Sequence, residues 1–260
     1  MSDPLFEVAG QVVLVSGGSR GLGRVIAEGF AVRGAKVFIT GRDLNTLEQT
    51  AHEISIGSHP VRVALCDVCD DAAIREMVAT VLAVEGRIDT LVNVAGVNRR
   101  KPALSITDED YDHILDTNLR GVFILSREVG RGMVERGGGC QINIASLTSD
   151  RPLLNVAPYA ISKAGVVSMT RAFALEWGVA GVRVNALAPG FILTDLTEKL
   201  WSDPKMKAWG EANTPMRRMG QPSDMVGTAI FLASPAAAFM TGQTLYVDGG
   251  FVAGVSWPIA

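Results

Sequence analysis

Three residues in the second half of the chain have types and spacing suited to moving a proton: Ser146, Tyr159 and Lys163. Tyr159 and Lys163 stand four residues apart in PYAISKAG, and on a helix that step puts both side chains on one face. A free tyrosine ionises near ~10, too high for efficient proton exchange around neutrality. A neighbouring ammonium favours the phenolate and lowers that value. Ser146, in QINIASLTS, can hydrogen-bond a reacting oxygen while Tyr159 gives or takes its proton. Alone, Tyr-x-x-x-Lys is common on surface helices, so it needs support from elsewhere.

Support comes from VVLVSGGSRGLG, residues 12–23, where an apolar run stops at a cluster of glycines. Gly17, Gly21 and Gly23 follow a strand-like run and open a helical pattern. Glycine there permits a tight turn and close approach of a ligand. The helix start offers free N–H groups and a positive dipole end to a pyrophosphate. The spacing is G-x-x-x-G-x-G, not the dinucleotide fingerprint G-x-G-x-x-G, and a plain βα turn also fits. Asp67, after the third strand-like run, suits an adenine amino group, and Asn93-Val94-Ala95-Gly96 ends the fourth with small residues. Both lie where open α/β sheets bind ligands.

The elements that must position these residues are legible as alternation. Strand-like runs at 12–16, 36–40, 61–65, 89–94, 140–145, 182–188 and 243–248 are separated, for the first six, by helical patterns such as LGRVIAEGFAVRG. Runs that are apolar throughout indicate burial on both faces, and strand–helix–strand repetition indicates a parallel sheet with right-handed crossovers. Gly34, Gly86 and Gly181 precede strands where helices close with a left-handed residue. The expected fold class is α/β: one doubly wound, Rossmann-type domain over 1–260, with seven parallel strands and helices on both faces. The stretch 190–221 reads as an insertion that serves as a substrate lid, or else as an extra packing helix.

Composition narrows the function classes. The chain has 260 residues, a formal charge of −3 and a pI near 5.7, so it has no electrostatic footprint for nucleic acid. No apolar run reaches membrane-span length, and MSDPLFEVAG lacks the basic and apolar regions of a signal peptide. Three cysteines fit a reducing compartment, and the expectation is a cytoplasmic protein. Cys66-Asp67-Val68-Cys69 is a C-x-x-C without a second ligand pair, so no metal is expected. Gly17-Gly18-Ser19-Arg20-Gly21 matches the G-x-S-x-G elbow of serine hydrolases. That enzyme order needs a histidine after the serine and the acid; the three here, His52, His59 and His113, all lie early. A dinucleotide-binding sensor without catalysis is the remaining rival, and the presence of Ser146, Tyr159 and Lys163 argues against it.

Taken together and in this order, the motifs resemble the short-chain dehydrogenase/reductase family over roughly residues 8–250. They are SGGSRGLG, NVAG, Asn118 in DTNLRG, Ser146, Tyr159 thirteen residues later, Lys163, Pro189-Gly190, Thr194 and VDGG at 247–250. The resemblance implies alcohol–ketone interconversion with a nicotinamide dinucleotide on the carboxyl edge of the sheet. It implies Tyr159 as acid/base, Lys163 tuning it and holding the nicotinamide ribose, Ser146 polarising the carbonyl, and Asn118 holding a relay water. The implied cofactor set is Gly17, Ser19, Arg20, Gly21, Leu22, Gly23, Arg42, Asp67, Val68, Asn93, Ala95, Gly96, Tyr159, Lys163, Pro189, Gly190, Ile192 and Thr194. Ser16 replaces a frequent Thr, and Val94 a frequent Asn.

Gly41 stands where NAD-using members carry an acid, and Arg20 and Arg42 suit a 2′-phosphate, so NADP(H) is expected over NAD(H). Asp43 can neutralise Arg42 and works against this. Arg99-Arg100-Lys101, after NVAGVN, can attract a carboxylate, and NVAGVNRR is similar to gluconate 5-dehydrogenases. The expected substrate is a small carbonyl or alcohol, a sugar acid or polyol such as gluconate/5-ketogluconate, with a 3-oxoacyl thioester as the alternative. The apolar C-terminal stretch suggests packing on a neighbouring copy, as in the tetramers common among relatives.

Overall fold

The computed structural model describes residues 3–55, 60–195 and 197–254. Seven parallel strands form one sheet: β1 Val12–Ser16, β2 Lys36–Gly41, β3 Arg62–Leu65, β4 Thr90–Asn93, β5 Gly139–Ile144, β6 Val182–Pro189 and β7 Thr244–Val247. Their order is β3-β2-β1-β4-β5-β6-β7, so the chain winds outward from β1 in one direction and then reverses. The reversal leaves a crevice at the carboxyl ends of β1 and β4, the place where such sheets bind ligands.

Alternation along each strand divides the core. Val13, Val15 and Ile39 face one layer, with Ile26 and Phe30 of α1 (Gly21–Ala31), Leu47 of α2 (Leu44–Ile54) and Ala229 and Leu232 of a later helix at Val226–Ala233. Val12, Leu14 and Leu91 face the other, with Ile74 and Val81 of α3 (Asp71–Glu85) and Phe173 of Ala157–Trp177. Central β1 and β4 are buried at every residue, while the edge strands β3 and β7 are only partly covered, as position in the sheet dictates. Gly34, Gly86 and Gly181 all adopt positive φ, as expected of helix-ending residues.

Past β4 the chain forms α4 (Asp108–Leu115), a π-turn at Asp116–Arg120 and α5 (Gly121–Arg136). No periodicity signals that turn, because the flanking helical pattern runs through it. After β5 comes α6 (Ala157–Trp177). The 190–221 insertion carries α7 (Glu198–Trp201) and α8 (Pro204–Asn213), so it is more than one extra packing helix. The next helix, α9 (Val226–Ala233), fills the layer before β7. No described helix is long and apolar enough to cross a membrane. The apolar stretch expected to meet a neighbouring copy falls partly on 255–260, outside the described residues.

Candidate active site

The glycine loop is zipped to three strand ends. Gly17 and Gly18 donate to Thr40 O at 2.9 and 3.1 Å, and Val94 and Ala95 donate to Ser16 O at 3.0 and 3.1 Å. Gly17 has φ +73°, and a Cβ there would stand 2.8 Å from Ala95 Cα. A Cβ on Gly23 would stand 2.1 Å from Gly17 O, so α1 starts hard against the loop only because that position is glycine. No side chain caps α1, whereas Asp43 caps α2 and Asp70 caps α3. Leu22 and its neighbours in the first turn therefore present N–H groups that suit a pyrophosphate.

The ribose end is also shaped by what is missing. Gly41 leaves open the space beside Ser19, whose Oγ lies 3.6 Å from where a Cβ would be. Ser19 O accepts from Thr50 Oγ1 at 2.7 Å, which ties the loop to α2. No histidine bonds to Ser19 among the described residues, and His59 lies outside them. Asp43 is turned to its own helix. Its carboxylate takes the N–H and hydroxyl of Thr46 at 2.7 and 2.5 Å, and among the described residues neither Arg20 nor Arg42 forms an ion pair. Both arginines are exposed.

Asp67 accepts from the Cys69 amide at 2.9 Å, and the buried Val68 passes its carbonyl so close to Gly121 that a Cβ there would stand 2.3 Å away. Of the two flanking thiols, Cys66 is buried, and burial pushes its pKa up to about 11. Cys69 is exposed and meets Thr117 Oγ1 at 3.3 Å. No metal-holding cluster occurs among the described residues. The Asn93 amide nitrogen turns into the sheet, donating to Ser126 Oγ at 2.9 Å and Asn143 Oδ1 at 2.8 Å. Its Oδ1 is left without a partner among the described residues. Ala95 packs against Gly17, and Gly96 lies beside Asn118 Oδ1 and Lys163 Nζ.

Tyr159 and Lys163 share one face of α6, with Nζ 5.8 Å from the phenol ring centre. Lys163 is buried and donates to Ile144 O, at the end of β5, at 2.7 Å. Two ammonium donors stay available, and Nζ lies 3.6 Å from where a Gly96 Cβ would be, at the crevice floor. Burial lowers its pKa to about 8. Burial raises that of Tyr159, opposed by the Ser146 hydroxyl and the charge of Arg100. The net direction is upward, against the expectation from an adjacent ammonium, because desolvation of the phenolate dominates. Ser146, 8% exposed, follows β5.

Asn118 sits in the π-turn, fully buried. Its amide holds Val97 by both backbone groups, accepting N–H at 2.7 Å and donating to the carbonyl at 2.9 Å, and also donates to Ser162 Oγ at 3.1 Å. Ser162 in turn donates to Tyr159 O at 2.7 Å. A water held by Asn118 must therefore rest on a main-chain group.

Asp110 sorts the basic cluster. This buried carboxylate takes Arg99 at 2.7 Å and also Lys101, which hold its pKa well below the usual carboxylate range. Arg100, between them, forms no ion pair among the described residues, and its charge acts on Tyr159. The pattern that would have found Asp110 is the Thr-x-x-Asp capping box at the start of α4.

The insertion begins where β6 ends. Gly190 lies against Asp248, where a Cβ would stand 2.5 Å from Cα. Ile192 is buried and bridges to Gly220, and Thr194 Cβ lies 3.7 Å from where a Gly21 Cβ would be. Phe191 meets Trp201, Trp209 and Phe251 at centroid distances of 5.2, 5.7 and 4.9 Å. That cluster fixes the insertion beside Pro189, the end of β6.

Comparison with known proteins gives the same picture. A family model described as enoyl-(acyl carrier protein) reductase matches residues 17–252. Gluconate 5-dehydrogenase of Gluconobacter oxydans is 38% identical over 251 residues, 96% of this chain and 98% of that one. The 3-oxoacyl-(acyl-carrier-protein) reductase of Vibrio harveyi is 39% identical, with 94% and 98% covered. A crystal structure of gluconate 5-dehydrogenase from Burkholderia cenocepacia, in complex with NADP and tartrate, superposes with a TM-score of 0.94 at 36% identity, covering 97% of this chain and 99% of that one.

Proposed function

This chain belongs to the short-chain dehydrogenase/reductase family of NAD(P)-dependent oxidoreductases, and we propose that it interconverts the alcohol and ketone of a small sugar acid, gluconate and 5-ketogluconate being the model pair, with NADP(H). The observation that carries the substrate is the arrangement around Asp110. Two of three neighbouring cations are committed to it, and the third, Arg100, is left exposed and without an ion pair among the described residues, with its charge felt at Tyr159. An anionic substrate whose carbonyl meets Tyr159 can rest its carboxylate on that guanidinium.

When bound, the nicotinamide supplies the acceptor or donor of hydride. For reduction, Ser146 donates a hydrogen bond to the carbonyl oxygen, and Tyr159 passes its phenolic proton to that oxygen as negative charge develops. Lys163, anchored on Ile144 O, holds the ribose and steadies the phenolate left behind. Water on the main chain of Asn118 returns a proton from solvent. Oxidation runs the same steps backward. Arg20 and Arg42, both without a protein partner among the described residues, hold the 2′-phosphate, and Gly41 leaves room for it.

Reduction of a 3-oxoacyl thioester is the second reading. Trp209 and Met216, exposed on the insertion, offer apolar surface to an acyl chain. Under either reading we propose a homotetramer, supported by the exposure of Leu175, Val179 and Phe239. Loss of reduced-nicotinamide absorbance with 5-ketogluconate, an acetoacetyl thioester and simple ketones tests the proposal. Turnover of 5-ketogluconate with NADPH is expected. Turnover of the thioester alone would replace the first reading by the second.

A further inference from the structure

Thr148 plays no part in the proposal above, yet the hydroxyl of Ser146 is organised around it. Ser146 caps the short 3-10 turn Leu147–Ser149, and its Oγ accepts the Thr148 backbone N–H at 3.1 Å and the Thr148 hydroxyl at 3.0 Å. A serine hydroxyl has two acceptor lone pairs and one proton. Thr148 occupies both lone pairs, and the remaining proton must point away from the turn. It is free for a partner outside the turn, and the Ser146 hydroxyl lies on the side of the Tyr159 phenol, whose ionisation it favours. Thr148 is buried, at 5% exposed, so water does not replace its hydroxyl freely.

We propose that Thr148 is a positioning residue that fixes Ser146 as a hydrogen-bond donor toward Tyr159 and the substrate oxygen. The inference rests on the roles given above to Ser146 and Tyr159. Its physical content is the direction of one hydrogen bond. With the Thr148 hydroxyl gone, a Ser146 lone pair falls vacant, and Ser146 can accept from the phenol. A bond accepted from the neutral phenol stabilises the protonated form and raises its pKa. The carbonyl oxygen then also loses an aligned donor during the reaction.

The test compares Thr148→Val, near-isosteric but without the hydroxyl, with Thr148→Ser, which restores it. Tyrosine labelled at Cζ with carbon-13 is followed by NMR into the alkaline range, with Tyr159 assigned by its loss in Tyr159→Phe. This readout requires no substrate. Thr148→Val is expected to move the Tyr159 titration alkaline by ~0.5–1 pH unit, the size of one hydrogen bond, and Thr148→Ser to return it. In turnover of 5-ketogluconate, Thr148→Val lowers kcat by roughly tenfold with KM nearly unchanged. A merely structural role would lower thermal stability without moving the titration. If Thr148→Val does not fold, Thr148→Ala removes the same hydroxyl. An unmoved Tyr159 titration in the folded variant overturns the inference. Ser146→Ala separates the two levels. If it leaves Tyr159 unmoved, the role of Ser146 fails; if it moves Tyr159 while Thr148→Val does not, only this inference fails.

Discussion

Lys163 is expected to weaken the fold that it serves. Its ammonium is buried, and burial alone brings its pKa from 10.5 to about 8. At 1.36 kcal/mol per tenfold change in proton affinity, the charged form costs about 3 kcal/mol at neutral pH. Lys163→Met keeps the length and apolar stem and removes that cost. It also leaves Ile144 O without its donor, which returns about 1–2 kcal/mol. The balance is a gain of about 1–2 kcal/mol, or ~2–6 °C in Tm for a domain of this size. The sign with pH follows from proton counting. Between about pH 8 and 10.5 the unfolded lysine binds more protons than the folded one, so the wild-type stability relative to the variant rises through that window. The assay is thermal unfolding of both proteins without cofactor at neutral and at alkaline pH. The variant should be the more stable at neutral pH and lose its advantage by about pH 10, while turnover is lost at both. A variant destabilised equally at every pH would refute the argument, because the burial of an uncompensated charge would then not be what Lys163 contributes.

Three other outcomes follow from the site. Arg100→Ala should raise KM for 5-ketogluconate roughly 10–100-fold and leave an uncharged ketone almost unaffected, which steady-state kinetics on both substrates will show. The double variant Arg20→Ala with Arg42→Ala should weaken NADPH at least ~10-fold and NADH little, as read by fluorescence titration of each cofactor. Gly17→Ala should abolish binding of either cofactor and lower Tm, since φ is +73° and the new methyl meets Ala95 backbone at 2.8 Å.

Much of this site was legible in the sequence because its parts sit at strand ends, and strands here are short apolar runs with sharp boundaries. Seven runs gave seven strands within a residue or two; Gly17 and Ser146 stand just past the ends of two of them, and Tyr159 and Lys163 showed in their four-residue step on the helix that follows β5. Details that depend on side-chain direction were not legible. Asn93 lies at the right strand end, but its amide points into a buried polar pair with Asn143, which only strand pairing reveals. Arg99, Arg100 and Lys101 look equivalent as letters, and Asp110, nine or more residues on, divides them into two structural charges and one available one. The π-turn that seats Asn118 has no signature in a helical pattern that continues on both sides. The pKa of Tyr159 goes upward because burial competes with nearby charge, and spacing says nothing about burial.

The central claim is that Tyr159 exchanges the proton of the reacting oxygen in a nicotinamide-dependent reaction. Its most direct test is turnover of 5-ketogluconate with NADPH by the wild type and Tyr159→Phe, alongside NADPH dissociation constants for both. The account predicts that Tyr159→Phe lowers kcat by at least ~100-fold while NADPH binding changes little. A variant that turns over at near the wild-type rate with its cofactor bound would contradict it.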